Sequence, residues 1–157
     1  MTEIISAPPR AGRKEWSALV VLILAVTLLA IDGTVLYMAV PALTADIGPT
    51  ATQTLWIGDI YSFVLAGLLV TMGNVADRVG RKRLLLIGSV GFGIASAIAA
   101  FAPNAAVLIA ARALLGVAGA TIMPSTLSII RNVFLHPSDR SRAIAIWAAG
   151  ATAGGAV

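Results

Sequence analysis

The stretch GNVADRVGRK, Gly73 to Lys82, decides how the rest of the chain is read. Glycines flank it, Asp77 sits inside it, and Arg78, Arg81, Lys82 and the following Arg83 make it strongly basic. This order predicts a short turn. Gly73 and Gly80 permit tight turns and close approach, and Asp77 can cap a helix N-terminus or pair with Arg81. Long apolar runs lie on either side, about Thr54 to Met72 and Leu84 to Phe101. A membrane crossing takes about 20 apolar residues, so the stretch reads as the turn between two spans. Basic residues beside spans set topology, which accounts for the charge but not for the spacing of the glycines and the acid.

Composition agrees. Of 157 residues, 59% are hydrophobic and only 11% charged, and the mean hydropathy is +0.95. About a quarter of an ordinary soluble domain is charged, so a soluble globular reading fails. The net charge of +4 could suggest nucleic acid. The basic residues are however grouped in short clusters between apolar runs, where they set topology, and no nucleic-acid partner is expected. With no cysteine and His136 as the single histidine, disulfides, cysteine metal sites and histidine clusters are excluded, and no metal is expected. No nucleophile–base constellation stands out, so an enzyme is not expected.

Working outward from the turn, Trp16–Leu43 supplies a first span interrupted by Asp32, and about Ala105 to Ile130 a fourth containing Arg112. Arg10, Arg13 and Lys14 before an apolar run mimic a signal peptide, but the run continues to about Val40, too long for an h-region. Residues 1–15 are thus expected to be a tail and 16–157 a helical bundle, with spans near 16–43, 54–72, 84–101, 105–130 and 143–157, the last incomplete. Arg10, Arg13 and Lys14, then Arg78 to Arg83, then Arg131, Arg140 and Arg142 alternate with loops holding only Asp46 or no charge. That alternation predicts a cytoplasmic N-terminus. Trp16, Trp56 and Trp147 fall near span ends, as interfacial anchors would. Gly116, Gly119 and Gly154 permit close helix packing, and Pro41 is expected to shape packing with them.

Asp32, Asp59 and Arg112 lie inside the spans, where each costs at least ~2.5 kcal/mol and must face protein or water. Counted at 1.5 Å per residue, Asp32 lies about 13 Å inside Pro41, Arg112 roughly 10 Å from Asn104 and Asp59 about 8 Å from Thr54. All three are expected in the outer half, lining one cavity. An aspartate there can bind a proton or a cation in turn, with Arg112 helping to return the proton. The plainer alternatives are an Asp32–Arg112 pair that locks two helices, and an Asp59 that only reaches water.

Four stretches resemble one family, the major facilitator superfamily, and within it the fourteen-span drug:proton antiporters (EmrB/QacA-like pumps of the LfrA and SmvA type). Gly73–Arg83 resembles the loop G-x-L-A-D-R-x-G-R-[KR], with Val75 for Leu. Ile31–Pro41 is similar to L-D-x-T-V-V-N-V-A-L-P, with Tyr37 for Asn. Arg112 to Ala120 resembles R-x-x-Q-G-x-G-A-A, with Leu115 for Gln and Ala118 for Gly. Trp147 to Val157 resembles the approach to G-x-x-x-G-P-x-x-G-G, with Gly154 as its first glycine.

The resemblance implies an all-α membrane protein forming the N-terminal part of a six-helix transporter bundle. It implies proton-coupled export of amphipathic, often cationic drugs, dyes and biocides through a bacterial plasma (inner) membrane, with the proton gradient as driving force and no cofactor. Arg112 is implied in proton transfer, and Asp77, Arg78 and Arg81 in a cytoplasmic latch against the second half of the protein. A piece with five spans is expected to be inactive without the rest of the transporter. A sugar or metabolite carrier of the same superfamily, or a small membrane interaction protein, is the alternative.

Overall fold

The computed structural model describes residues 9–154; residues 1–8 of the expected tail and 155–157 of the expected fifth span lie outside them. Five helices follow one another: α1 (Arg13–Ile47), α2 (Ala51–Val79), α3 (Arg81–Ala100), α4 (Ala105–Val133) and α5 (Pro137–Ala153). The first four are long and apolar enough to cross a membrane. At 1.5 Å per residue, the 17 residues of α5 reach about 25 Å, short of a full crossing.

Local chemistry explains the boundaries. Gly48 ends α1 in the left-handed region at φ 57°. Thr50 caps α2, its hydroxyl accepting from the Gln53 N–H while the Gln53 side chain accepts from the Thr50 N–H. Asn104 accepts from the Val107 N–H at 3.0 Å and starts α4. Pro137 at the first position opens α5.

Three expectations change. The turn is far shorter than Gly73–Lys82. α2 runs through Gly73 and Asp77 to Val79, α3 begins at Arg81, and Gly80 alone turns the chain at φ 101°. The apolar count missed this because a helix continues into polar residues wherever its backbone bonds are made. α1 likewise runs through Pro41 to Ile47, so Asp32 lies about 22 Å from its end rather than 13 Å. Trp147 is no end anchor either: it sits mid-way along α5 and donates to the Thr126 hydroxyl at 3.3 Å.

α4 is the central helix, packed on α2 and α3, while α1 packs chiefly on α5. Leu29, Tyr61, Phe92, Leu115 and Ile122 form the middle of the core. One end holds Leu19, Leu22, Ile130, Phe134 and Ala143, with Trp16 edge-on to Phe134 at 5.2 Å. Leu36, Ile57, Ala105 and Leu108 fill the other. The seams of α3 with α4 and of α1 with α5 are glycine-dependent. A Cβ on Gly88 of α3 would collide with Thr121 of α4, and one on Gly154 would come within 2.7 Å of Ala30 Cβ and 2.9 Å of the Thr27 carbonyl. Along this second seam Thr27 donates to the Gly150 carbonyl at 3.2 Å, and Thr34 to that of Gly154 at 3.4 Å.

The chain before α1 is tied down as well: the Ala11 N–H donates to Asp139 Oδ2 at 3.1 Å, and Asp139 is buried. Losing such a bond costs about 1 kcal/mol. Asp139→Ala is therefore expected to speed tryptic cleavage after Arg10 and Arg13 roughly fivefold, since cleavage follows the population of the opened segment. An unchanged rate would mean that the apolar contact of Ala11 and Trp16 holds the segment without Asp139.

Candidate functional site

Arg112, Gly116 and Gly119 recur at i, i+4 and i+7, so they share one face of α4. That face meets α2. A Cβ on Gly116 would stand 2.7 Å from the Tyr61 carbonyl and 2.9 Å from Val64 Cβ. On Gly119 it would stand 3.2 Å from the Tyr61 hydroxyl and 3.1 Å from Leu29 and Leu65. The two glycines thus open a niche for Tyr61, and the niche brings the Tyr61 ring under the arginine. Cζ of Arg112 lies 4.8 Å from the ring centroid, within the range of a cation–π contact.

The rest of the guanidinium is spoken for on two other sides. Its Nε donates to the Ile57 carbonyl at 3.2 Å, and one Nη to Asp32 Oδ2 at 2.8 Å. Arg112 therefore joins α4 to both α1 and α2. Its side chain is 4% exposed against 16% for Asp32, so the carboxylate is the reachable end of the pair. Both residues were singled out by the sequence, and the structure brings them together.

Asp59 is not with them. Ile57 and Tyr61, which serve Arg112, are each two residues from Asp59, about 200° around the helix. Asp59 lies exposed on the far side of α2, in a recess with Thr52, Leu55, Trp56 and Phe63. The expectation of one cavity lined by all three charges is thus corrected. Depth along a span can be counted from sequence, but the facing side depends on which neighbour the helix meets.

The basic stretch occupies the end of the bundle that also holds the N-terminal segment and the α4–α5 junction. Asp77 Oδ1 accepts from Nε and Nη2 of Arg81 at 3.1 and 2.9 Å, across the Gly80 turn. Arg81, Lys82 and Arg83 begin α3, where the helix dipole disfavours positive charge, and Asp77 offsets them. With Asp77 exposed and Arg81 half-buried at the surface, the pair contributes only about 0.3–0.5 kcal/mol. A cleft of about 370 Å³ beside it is lined by Gly73, Asn74, Asp77, Arg81, Ser128 and Arg131. Arg78 is exposed, and a Cβ on Gly73 would meet nothing within 4 Å, so no close approach requires that glycine here. Pro41, expected to shape packing, lies inside α1.

Sequence reasoning missed Tyr61, the Ile57 carbonyl and Gly88. The four-residue spacing of Ile57 and Tyr61 was visible, but nothing marked that face of α2 as the one turned toward Arg112.

Comparison with known proteins gives this geometry its context. The Major Facilitator Superfamily profile matches residues 22–157. The multidrug efflux pump LfrA of Mycolicibacterium smegmatis is 56% identical over all of this chain and 32% of its own length. The methyl viologen resistance protein SmvA of Salmonella typhimurium is 44% identical over 91% of the chain and 29% of its own length. The puromycin resistance protein of Streptomyces alboniger is 38% identical over 92% and 29%. The chain spans about a third of the length of the curated relatives it matches. With the profile running from the first span to the end of the chain, this multi-pass membrane protein belongs to the major facilitator superfamily, a family of transporters rather than enzymes.

Proposed function

We propose that the chain forms the first five helices of a proton-driven exporter of amphipathic, chiefly cationic drugs, dyes and biocides. It sits in a bacterial plasma (inner) membrane with its N-terminus cytoplasmic. The remainder of the transporter completes this bundle and supplies the second half against which it rocks. The names of the relatives, a multidrug efflux pump and proteins of methyl viologen and puromycin resistance, support the substrate class. The clustering of the N-terminal segment, Gly80 turn and α4–α5 junction at one end supports the orientation, because basic residues stay cytoplasmic.

One observation carries the mechanism: a partly reachable Asp32 is held by a buried arginine that has two further partners. When Asp32 takes a proton, Arg112 loses its ionic partner but keeps the Ile57 carbonyl and the Tyr61 ring. The guanidinium is therefore never left without contacts in the membrane, where that would be costly. Asp32 can alternate between proton and cationic substrate while Arg112 stays in place. Asp59 serves as a second acid for substrate. Asp77, Arg78, Arg81 and Lys82, with Gly73 and Gly80, form a latch whose weak internal pair leaves it free to release on rocking.

The test is proton-driven ethidium efflux from proteoliposomes containing the complete transporter that carries this segment. Asp32→Asn is expected to lower the proton-driven rate by at least roughly a hundredfold, the usual contribution of a positioned proton-transfer group. Unchanged proton-coupled efflux in that variant would sink the mechanism.

A further inference from the structure

We propose that Trp56, Asp59 and Phe63 form an acid–aromatic seat for flat organic cations, and that its two rings select substrates by shape. The proposal rests on the export reading above and adds a determinant of specificity to it. The three residues recur at i, i+3 and i+7, so they share one stripe of α2. The Trp56 and Phe63 ring centroids are 6.4 Å apart and their planes 64° from parallel. Asp59 lies between them along the stripe, and all three line a recess of about 230 Å³.

Charge supports a cation as the occupant. Asp32 is matched by Arg112, whereas Asp59 has no ion-pair or hydrogen-bond partner among the described residues. Asp59 therefore offers a cation a carboxylate that no arginine or lysine of the described residues already neutralises. Aromatic faces add to its pull, because a cation within about 6 Å of a ring centroid is attracted by the ring's quadrupole. A planar cation with delocalised charge can lie on Trp56 or Phe63 while its charge stays near the carboxylate. A tetrahedral cation that buries its charge among four phenyl groups holds that charge away from the ring face. It gains from Asp59 but little from the rings.

The test is binding of ethidium, which is planar, and of tetraphenylphosphonium, which is not, to the purified complete transporter. Trp56→Leu and Phe63→Leu keep an apolar side chain at exposed positions, so folding is retained. Each is expected to raise the Kd for ethidium roughly fivefold and to change that for tetraphenylphosphonium less than about twofold. Trp56→Phe is expected to restore most of the ethidium affinity, and Asp59→Asn to weaken both cations. Equal shifts for the two cations in the leucine variants, or no shift, would overturn the seat while leaving the export reading intact. If the wild-type transporter binds neither cation, the export reading falls and the seat with it.

Discussion

Arg112→Leu is expected to cost about 3–5 kcal/mol of stability and to abolish proton-coupled export. The side chain is 4% exposed and joins three helices through Asp32, the Ile57 carbonyl and the Tyr61 ring. Leucine fills similar space, so the loss is electrostatic: the Asp32 carboxylate stays in the bundle with its counter-charge gone. Asp32→Asn is the informative contrast. It leaves Arg112 two neutral partners, so its stability cost is smaller although transport is lost. The double variant Asp32→Asn/Arg112→Leu removes both charges and is expected to regain most of the stability without regaining export. Thermal unfolding in detergent and proteoliposome efflux separate the two effects. Proton-driven export by the double variant would mean that the pair is only a lock between helices.

Gly116→Ala is expected to destabilise by about 1–3 kcal/mol, the usual range for overpacking a close contact. The added methyl would stand 2.7 Å from the Tyr61 carbonyl, which is backbone and cannot rotate away. α2 has to retreat as a whole, taking the Ile57 carbonyl and the Tyr61 ring from Arg112. Export should fall with stability although residue 116 carries no charge. Gly93→Ala is the matched control. Its methyl would meet nothing within 4 Å on α3, so the gain in helix propensity, about 1 kcal/mol, stands unopposed. The same chemical change should thus act with opposite sign at the two positions. A Gly116→Ala transporter as stable as wild type would show that α2 and α4 do not meet as closely as described.

Much of the fold is legible from residue order because membrane helices obey a one-dimensional rule. In hydrocarbon each backbone group must be bonded within its own helix, so a run such as Leu84–Ala100 declares a span before any partner is known. The spacing of Arg112, Gly116 and Gly119 is legible in the same way, since i, i+4 and i+7 share a face whatever that face meets. Helix ends are less so. Asp77 and Arg78 are polar yet helical, and Pro41 does not stop α1, because a helix already formed extends through residues that would not start one.

The identity of the partners needed tertiary structure. By itself the sequence determined the helices, their order, the charge alternation and the family resemblance, all of which depend on near neighbours along the chain. Only the packed bundle decided that Arg112 turns to Asp32, Ile57 and Tyr61 together, and that Asp59 turns the other way beside Trp56 and Phe63. The reason is rotational. A helix's apolar surface reads much the same on every side in a chain this hydrophobic, so composition does not say which side meets which neighbour. Steric fit at Gly116 and Gly119, where one added methyl would collide, sets that rotation.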